Sequence, residues 1–277
     1  CKKRIAAGDN KIIKINKGEV IRIFTGARMP ENSRTVVMQE NTKVNNDIVV
    51  IKKIPFLGEN HRIKGEDIKR GQTILKKGTN INANNLNLIA AIGTKKVKVF
   101  KKIKVGFFTS GNELKKPRTK LKGSEINNSN YYSLTSLLDF NFINKVYCGN
   151  LKDRFKYIEN KLKFNSKKFN VIITTGGASV GEEDYLIEVI NKIGKILFWK
   201  AAIKPGRPVA LGKVDDCYVI CLPGNPVSVQ LLYALIIQPF IYYLAGANFV
   251  LLQPEKLKVN FNMNKKTKRM EWLRVKK

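Results

Sequence analysis

Carboxylates, cations and glycines recur in this chain directly after short apolar runs. Glu113 closes the segment Thr109-Ser110-Gly111-Asn112-Glu113, Asp153 stands beside Arg154, and Asp184 follows Thr175-Gly176-Gly177-Ala178-Ser179-Val180-Gly181. Lys200, Lys204 and Arg207 lie in and just ahead of Lys204-Pro205-Gly206-Arg207-Pro208, and Pro223-Gly224-Asn225-Pro226 follows the run Tyr218 to Leu222. Three carboxylates can hold a divalent ion such as Mg²⁺, which prefers oxygen ligands and phosphate partners. A glycine segment lets backbone N–H groups approach an anion, with help from the N-terminus of a following helix. The segment is neither a P-loop, since no Gly-Lys-Ser/Thr ends it, nor a G-x-G-x-x-G dinucleotide turn. Each feature has an ordinary alternative: a lone carboxylate is a cap, a glycine turn is as often structural as functional, and the cations share in the general basicity of the chain. A common location is what gives them chemical weight.

That location is predicted by the surrounding pattern. From Lys101 to Ala245, apolar runs (Ile103 to Thr109, Lys145 to Cys148, Val171 to Thr175, Ile196 to Ala201, Tyr218 to Leu222) alternate with stretches of helical spacing (Tyr131 to Phe140, Arg154 to Phe164, Tyr185 to Ile193). Such alternation specifies an α/β fold with a doubly wound, mostly parallel sheet. Ligands of these sheets bind beyond the carboxyl ends of the strands, where the candidate residues fall. Upstream, the β-prone runs Val20 to Phe24, Thr35 to Met38 and Asp47 to Ile51 predict a small β-rich domain over 1–64. A short α/β linker unit over 65–100 contains a helix from Asn84 to Ile92. The large domain then covers 101–252, and 253–277 begins a further β domain with an alternating run from Lys256 to Asn262.

Bulk properties narrow the function. The net charge is +31, which predicts attraction to polyanions. Yet Lys, Asn and Ile are abundant along the whole length, and runs such as Lys95-Lys96 and Lys101-Lys102 flank apolar strands as solvated edges. No specific nucleic-acid partner is expected. Cys1, Cys148, Cys217 and Cys221 form no C-x-x-C pair, and His61 is the single histidine, so neither a disulfide framework nor a zinc site of common spacing can be drawn. The residues present contain no export signal, and a cytoplasmic setting is expected. Val227 to Ala245 approaches the length of a membrane span, but Ser228, Gln230, Gln238 and Pro239 interrupt it and Asn225-Pro226 opens it as a helix start, so a buried core helix without membrane contact is predicted.

The motifs together resemble one family. Ile23-Phe24-Thr25-Gly26-Ala27-Arg28-Met29-Pro30 followed by Val36-Val37-Met38-Gln39-Glu40 is similar to the R-I-x-T-G-A-x-x-P…V-V-M-Q-E signature of the molybdopterin molybdenumtransferases, which include the E domain of gephyrin. Arg62 to Asp67, Thr109 to Leu114, Thr174 to Asp184, Phe198 to Pro208 and Leu222 to Ser228 follow in family order. Sister families that share only the α/β domain lack the Thr-Gly-Ala and Gln-Glu segments. The resemblance implies a molybdopterin-binding α/β domain and a transferase that joins molybdate to adenylylated molybdopterin, releasing AMP, with Mg²⁺ or another divalent cation as cofactor.

It also assigns residues. Thr25, Glu113, Asp153 and Asp184 fall on catalytic positions, the three carboxylates doubling as metal ligands. Thr175, Gly176, Gly177, Ser179, Gly181, Lys200, Lys204, Arg207, Pro223, Gly224, Asn225 and Pro226 fall in substrate-binding segments. A homodimer is implied, in which the segment around Thr25 and Glu40 reaches the partner's α/β edge, with enzymes of the molybdopterin pathway as further partners. Three departures stand out. Asn112 replaces a usual aspartate, Asn128-Ser129-Asn130 replaces Asp-Thr/Ser-Asn, and a D-N-S-A-M-D-G-Y-A motif expected near the start is not in this sequence. On this resemblance, an N-terminal segment and most of the last β domain are expected to lie outside the chain.

Overall fold

Val171-Ile172-Ile173 offers no polar side chain to either face, the pattern of a strand covered on both sides. All three are fully buried in the computed structural model, which describes residues 4–177, 185–248, 255–258, 260–262 and 268–275. The chain forms two compact units, Cys1–Ile74 and Leu75–Lys277.

The larger unit is built on a six-stranded sheet. Its strands are β1 (Ile103–Ser110), β2 (Ile143–Leu151), β3 (Val171–Thr175), β4 (Lys195–Trp199), β5 (Ala210–Val214) and β6 (Cys217–Leu222), in the order β4-β5-β6-β3-β1-β2. Strand β5 runs antiparallel to both neighbours, while β6, β3, β1 and β2 pair in parallel. The sequence reading predicted five strands and missed β5. It is the return arm of a hairpin turning at Asp215-Asp216, where Asp215 has φ 52°. Since β5 is antiparallel to both β4 and β6, five strands still direct their carboxyl ends to one edge.

Helices cover both faces. Ahead of the sheet lies α1 (Ala83–Ala91), with Asn82 and Asn85 capping one another reciprocally. On one face α2 (Ser129–Leu137) and α5 (Pro226–Leu244) pack Leu134, Val229, Leu232, Ile237 and Ile241 onto Val105, Phe107, Val171, Ile173, Ile220 and Leu222. On the other, α3 (Phe155–Ser166) and α4 (Tyr185–Ile193) pack Ile158, Leu162, Leu186, Val189 and Ile190 onto Phe108, Ile172, Val219 and Cys221. Residues alternate between the two clusters along the central strands β3 and β6, as the pleat requires. A fully buried aliphatic side chain contributes about 1.5–3 kcal/mol, so these two layers account for much of the fold's stability.

The segment considered as a membrane span is α5. It is long and apolar enough to cross a bilayer, and among its buried residues Val229, Tyr233, Ile237 and Ile241, continued by Ala245 just past its end, recur every four positions and belong to the core. Its middle, Tyr233–Ile237, is a single π turn. Pro239 lies just beyond, where its missing N–H interrupts the α ladder. Burial also accounts for the cysteines: it pushes the thiols of Cys217 and Cys221 up to about 12, so both are inert core residues.

The smaller unit is sparser in regular structure. Arg4–Ile5 pairs in parallel with Arg22–Ile23, and Thr42–Asn45 forms an antiparallel hairpin with Ile48–Ile51. Thr35 to Met38 is not a strand, and neither are the described residues between Lys256 and Asn262. The strand found near the chain's end is Met270–Glu271, paired in parallel with Ile203–Lys204.

Candidate functional site

Strand β1 delivers the first carboxylate. After Ser110 the chain turns at Gly111, whose φ of +139° favours glycine; the Glu113 carboxylate oxygens lie against it, 2.5 Å from where a Cβ would stand. Glu113 is thus folded back over the turn, and its carbonyl accepts from Ile126 N–H at 2.9 Å. Strand β2, beside β1, delivers Asp153. Ser110 Oγ donates to Asp153 Oδ1 at 3.0 Å, and the Asn112 amide reaches Asp153 Oδ2 at 3.5 Å. Asn112 therefore places a donor where a carboxylate would have repelled Asp153.

Strands β3 and β6 bring their loops to the same edge. Gly176 N–H donates to the Leu222 carbonyl at 2.9 Å, and a Cβ on Gly176 (φ +86°) would meet the Ser110 carbonyl at 2.5 Å. Backbone from the ends of β1, β3 and β6 meets there too closely for a side chain on Gly176. Asn130, on α2, donates from Nδ2 to the Gly224 carbonyl at 2.7 Å, while Asn225 caps α5 by accepting from Val227 N–H, with Pro226 at the first helical position. Thr175 Oγ1 and Asn130 Oδ1 are buried without a hydrogen-bond partner among the described residues. Thr109, the register neighbour of Thr175, has three partners.

Cations dominate the end of β4. Lys200 takes a left-handed backbone (φ 70°) and lays its ammonium 3.9 Å from the centre of the Trp199 ring. That backbone costs on the order of 1–2 kcal/mol for a side-chain-bearing residue, and the structure holds it with Lys200 N–H donating to the Val209 carbonyl and Ala201 N–H to that of Arg207. The loop contains a cis Lys204-Pro205 bond. Lys200, Ala201, Ala202 and Arg207 line an open depression of roughly 460 Å³ that is completed by Lys268 and Arg269. Lys204 is ion-paired with Glu271 at 2.9 Å. Four cationic residues thus line one depression, a concentration of positive charge that attracts anions.

The larger unit thus gathers Glu113, Asp153, Thr175, Gly176, Gly177 and the loops at Lys200–Arg207 and Pro223–Pro226 on one sheet edge. Sequence reasoning missed Lys268 and Arg269, which the pairing of Met270–Glu271 with Ile203–Lys204 brings to the depression. Ser179, Gly181 and Asp184 lie outside the described residues. Among the described residues no group of three His, Cys, Asp or Glu side chains is placed to hold a metal; Glu113 and Asp153 supply two carboxylates of the expected three. Thr25 belongs to the smaller unit, exposed at the tip of a turn closed by Ala27 N–H donating to the Phe24 carbonyl, with Gly26 at φ +82°.

A doubly wound sheet with this glycine-lined, cation-rich edge defines a molybdopterin-binding domain, and residues 106–243 match the model of the probable molybdopterin binding domain. Residues 1–93 match that of the MoeA N-terminal region, domains I and II. The molybdopterin molybdenumtransferase of Haemophilus influenzae is 35% identical over 82% of this chain and 56% of its own length. A putative molybdopterin biosynthesis protein of Methanocaldococcus jannaschii is 32% identical over 98% of this chain and 67% of its own. The crystal structure of the molybdopterin biosynthesis moea protein from Pyrococcus horikosii superimposes with a TM-score of 0.72 at 29% identity, covering 88% of this chain and 61% of that one. The chain belongs to the molybdopterin molybdenumtransferase family and so to molybdenum cofactor biosynthesis. It spans little more than half the length of the Haemophilus relative.

Proposed function

We propose that the whole protein inserts molybdenum from molybdate into adenylylated molybdopterin, releasing AMP. The observation that carries this reading is the division of one sheet edge into a carboxylate side, Glu113 and Asp153, and a cation side, Lys200, Arg207, Lys268 and Arg269. A dianionic oxyanion suits the cation side, where guanidinium and ammonium groups donate several charge-assisted hydrogen bonds at once. A phosphorylated pterin suits the turns at Gly176-Gly177 and Pro223–Pro226. Glu113 and Asp153, together with Asp184, would hold a divalent ion, which when bound neutralises phosphate charge. The chain's own residues orient the two anions toward each other.

The test is AMP release from adenylylated molybdopterin on addition of molybdate, using the full-length protein. Release that requires molybdate supports the reading. Binding without release supports a second one, a pterin-binding module without turnover, which is favoured by the Asn112 amide standing beside Asp153 in place of a further charge.

The protein is further proposed to act in the cytoplasm as a homodimer in which the Thr25 turn completes the partner's edge, handing its product among molybdopterin-pathway enzymes, with no specific nucleic acid or membrane involved. Mixing a Thr25 mutant with an Asp184 mutant checks the shared site. Recovery of activity on subunit exchange is expected, and no recovery despite exchange means that each chain builds its own.

A further inference from the structure

Two asparagines beneath the Glu113 turn form a hydrogen-bonded chain that runs in one direction. Tyr131 N–H can only donate, and it donates to Asn128 Oδ1 at 3.1 Å. The other end of that amide, Asn128 Nδ2, therefore faces Thr109 Oγ1, at 2.9 Å. At the far end the Gly111 carbonyl can only accept, and it takes Asn150 Nδ2 at 2.8 Å. Asn150 Oδ1 is thereby turned to Thr109 Oγ1, at 3.2 Å, and must accept the hydroxyl's one hydrogen. With that hydrogen committed, Thr109 receives both Asn128 and, at 2.9 Å, the Tyr147 hydroxyl. Every link passes its donor onward, from the start of α2 through β1 and β2 to the turn that carries Glu113. The Gly111 carbonyl also takes Leu114 N–H at 3.3 Å, so two donors hold it at once.

We propose that Asn150 is a positioning residue for Glu113 and that Asn128 sets the polarity that keeps it so. Glu113 lies inside the turn that Leu114 N–H closes on the Gly111 carbonyl, so its backbone follows that peptide, and among the described residues the Asn150 side chain clamps the peptide carbonyl to a neighbouring strand. An aspartate at position 128 would accept where the amide now donates. Thr109, with one hydrogen, would then have to serve both the new carboxylate and Asn150, leaving one of them unpaired. An aspartate at position 150 would set an oxygen against the Gly111 oxygen and release the turn. The inference rests on the reading that Glu113 acts in molybdenum insertion.

The test uses the full-length protein, comparing Asn150→Asp, Asn128→Asp and Glu113→Gln by amide exchange and by the kinetics of AMP release. In Asn150→Asp, exchange across residues 111–114 is expected to quicken while the sheet strands keep native protection. Its kcat should fall on the order of tenfold with KM within about twofold, the pattern of a misplaced acting group. Asn128→Asp should give the same pattern more weakly, and Asn150→Ser, which restores a short donor, should recover part of kcat. Native exchange at 111–114 in Asn150→Asp overturns the clamp, as does unchanged kcat where Glu113→Gln is inactive. If Glu113→Gln keeps full turnover while Asn150→Asp still loosens the turn, the clamp stands and the assigned role of Glu113 fails.

Discussion

The carboxylates at the sheet edge and the carboxylate between the outer helices are the same chemical group in opposite circumstances. Glu113 is exposed, is held by its backbone turn, and makes no ion pair among the described residues. Glu159 on α3 is 4% exposed and pairs with Lys163 at 2.8 Å, Lys192 of α4 at 3.3 Å and Lys156 at 3.6 Å. Hydrogen bonding to Lys163 and then to Lys192, working against burial, holds the Glu159 carboxyl down to about 2. A carboxylate with three ammonium groups around it ties two helices together and has little left to offer a ligand. A carboxylate placed by its backbone alone remains available for one.

The comparison is broken most readily by exchanging the two effects. Glu113→Gln should lower AMP release by about 10²–10³-fold with a melting temperature within about 2 °C of the parent. Glu159→Gln should do the reverse, melting earlier while turnover per folded molecule is unchanged; matched losses in both variants would erase the distinction. A smaller effect sharpens it on the cation side. Lys200→Ala and Arg207→Ala should each raise half-saturating molybdate on the order of tenfold, as expected for loss of a charge-assisted contact. Lys204→Ala should raise it less, because that charge already faces Glu271. Equal shifts in all three would place Lys204 directly on the anion.

The smallest effect is one of pH. The Glu159 carboxyl lies at about 2 in the folded protein against an ordinary 4.5, so the unfolded chain binds the proton first. Its stabilisation is complete above pH 4.5 and is lost as the pH falls from there toward 2. Thermal melts across that window should show a steeper decline for the parent than for Glu159→Gln. Parallel curves would mean that the three lysines contribute nothing specific.

Much of this edge was legible before any coordinates, because parallel strands buried on both faces announce themselves as apolar runs and the residues after them must share an edge. Strand β5 was not. Its run Val209-Ala210-Leu211 is short, and Gly212 and Lys213 break the β-prone pattern, although Asp215-Asp216 ahead of Cys217 marked a hairpin turn. Lys268 and Arg269 were invisible for a different reason. They reach the depression through the pairing of Met270–Glu271 with Ile203–Lys204, and no local pattern encodes which distant strand a two-residue strand will join. The one-way asparagine chain was hidden too, since composition reveals asparagines but not which of their two ends faces a neighbour.

The π turn in α5 sets a rotational phase. A stripe that repeats every four residues gains about 40° on an α-helix at each step, so the walk from Val229 to Ala245 would wind roughly 160° around the axis. The wider turn at Tyr233–Ile237 takes part of that rotation back and keeps Ile241 against the sheet. Forcing the same residues into a regular α-helix, with none removed, would swing everything beyond by about 100°. Ile241 would leave the core while the Pro223–Pro226 loop at the other end stayed in place. The helix is in this sense two half-helices timed separately, one to the ligand edge and one to the base of the sheet.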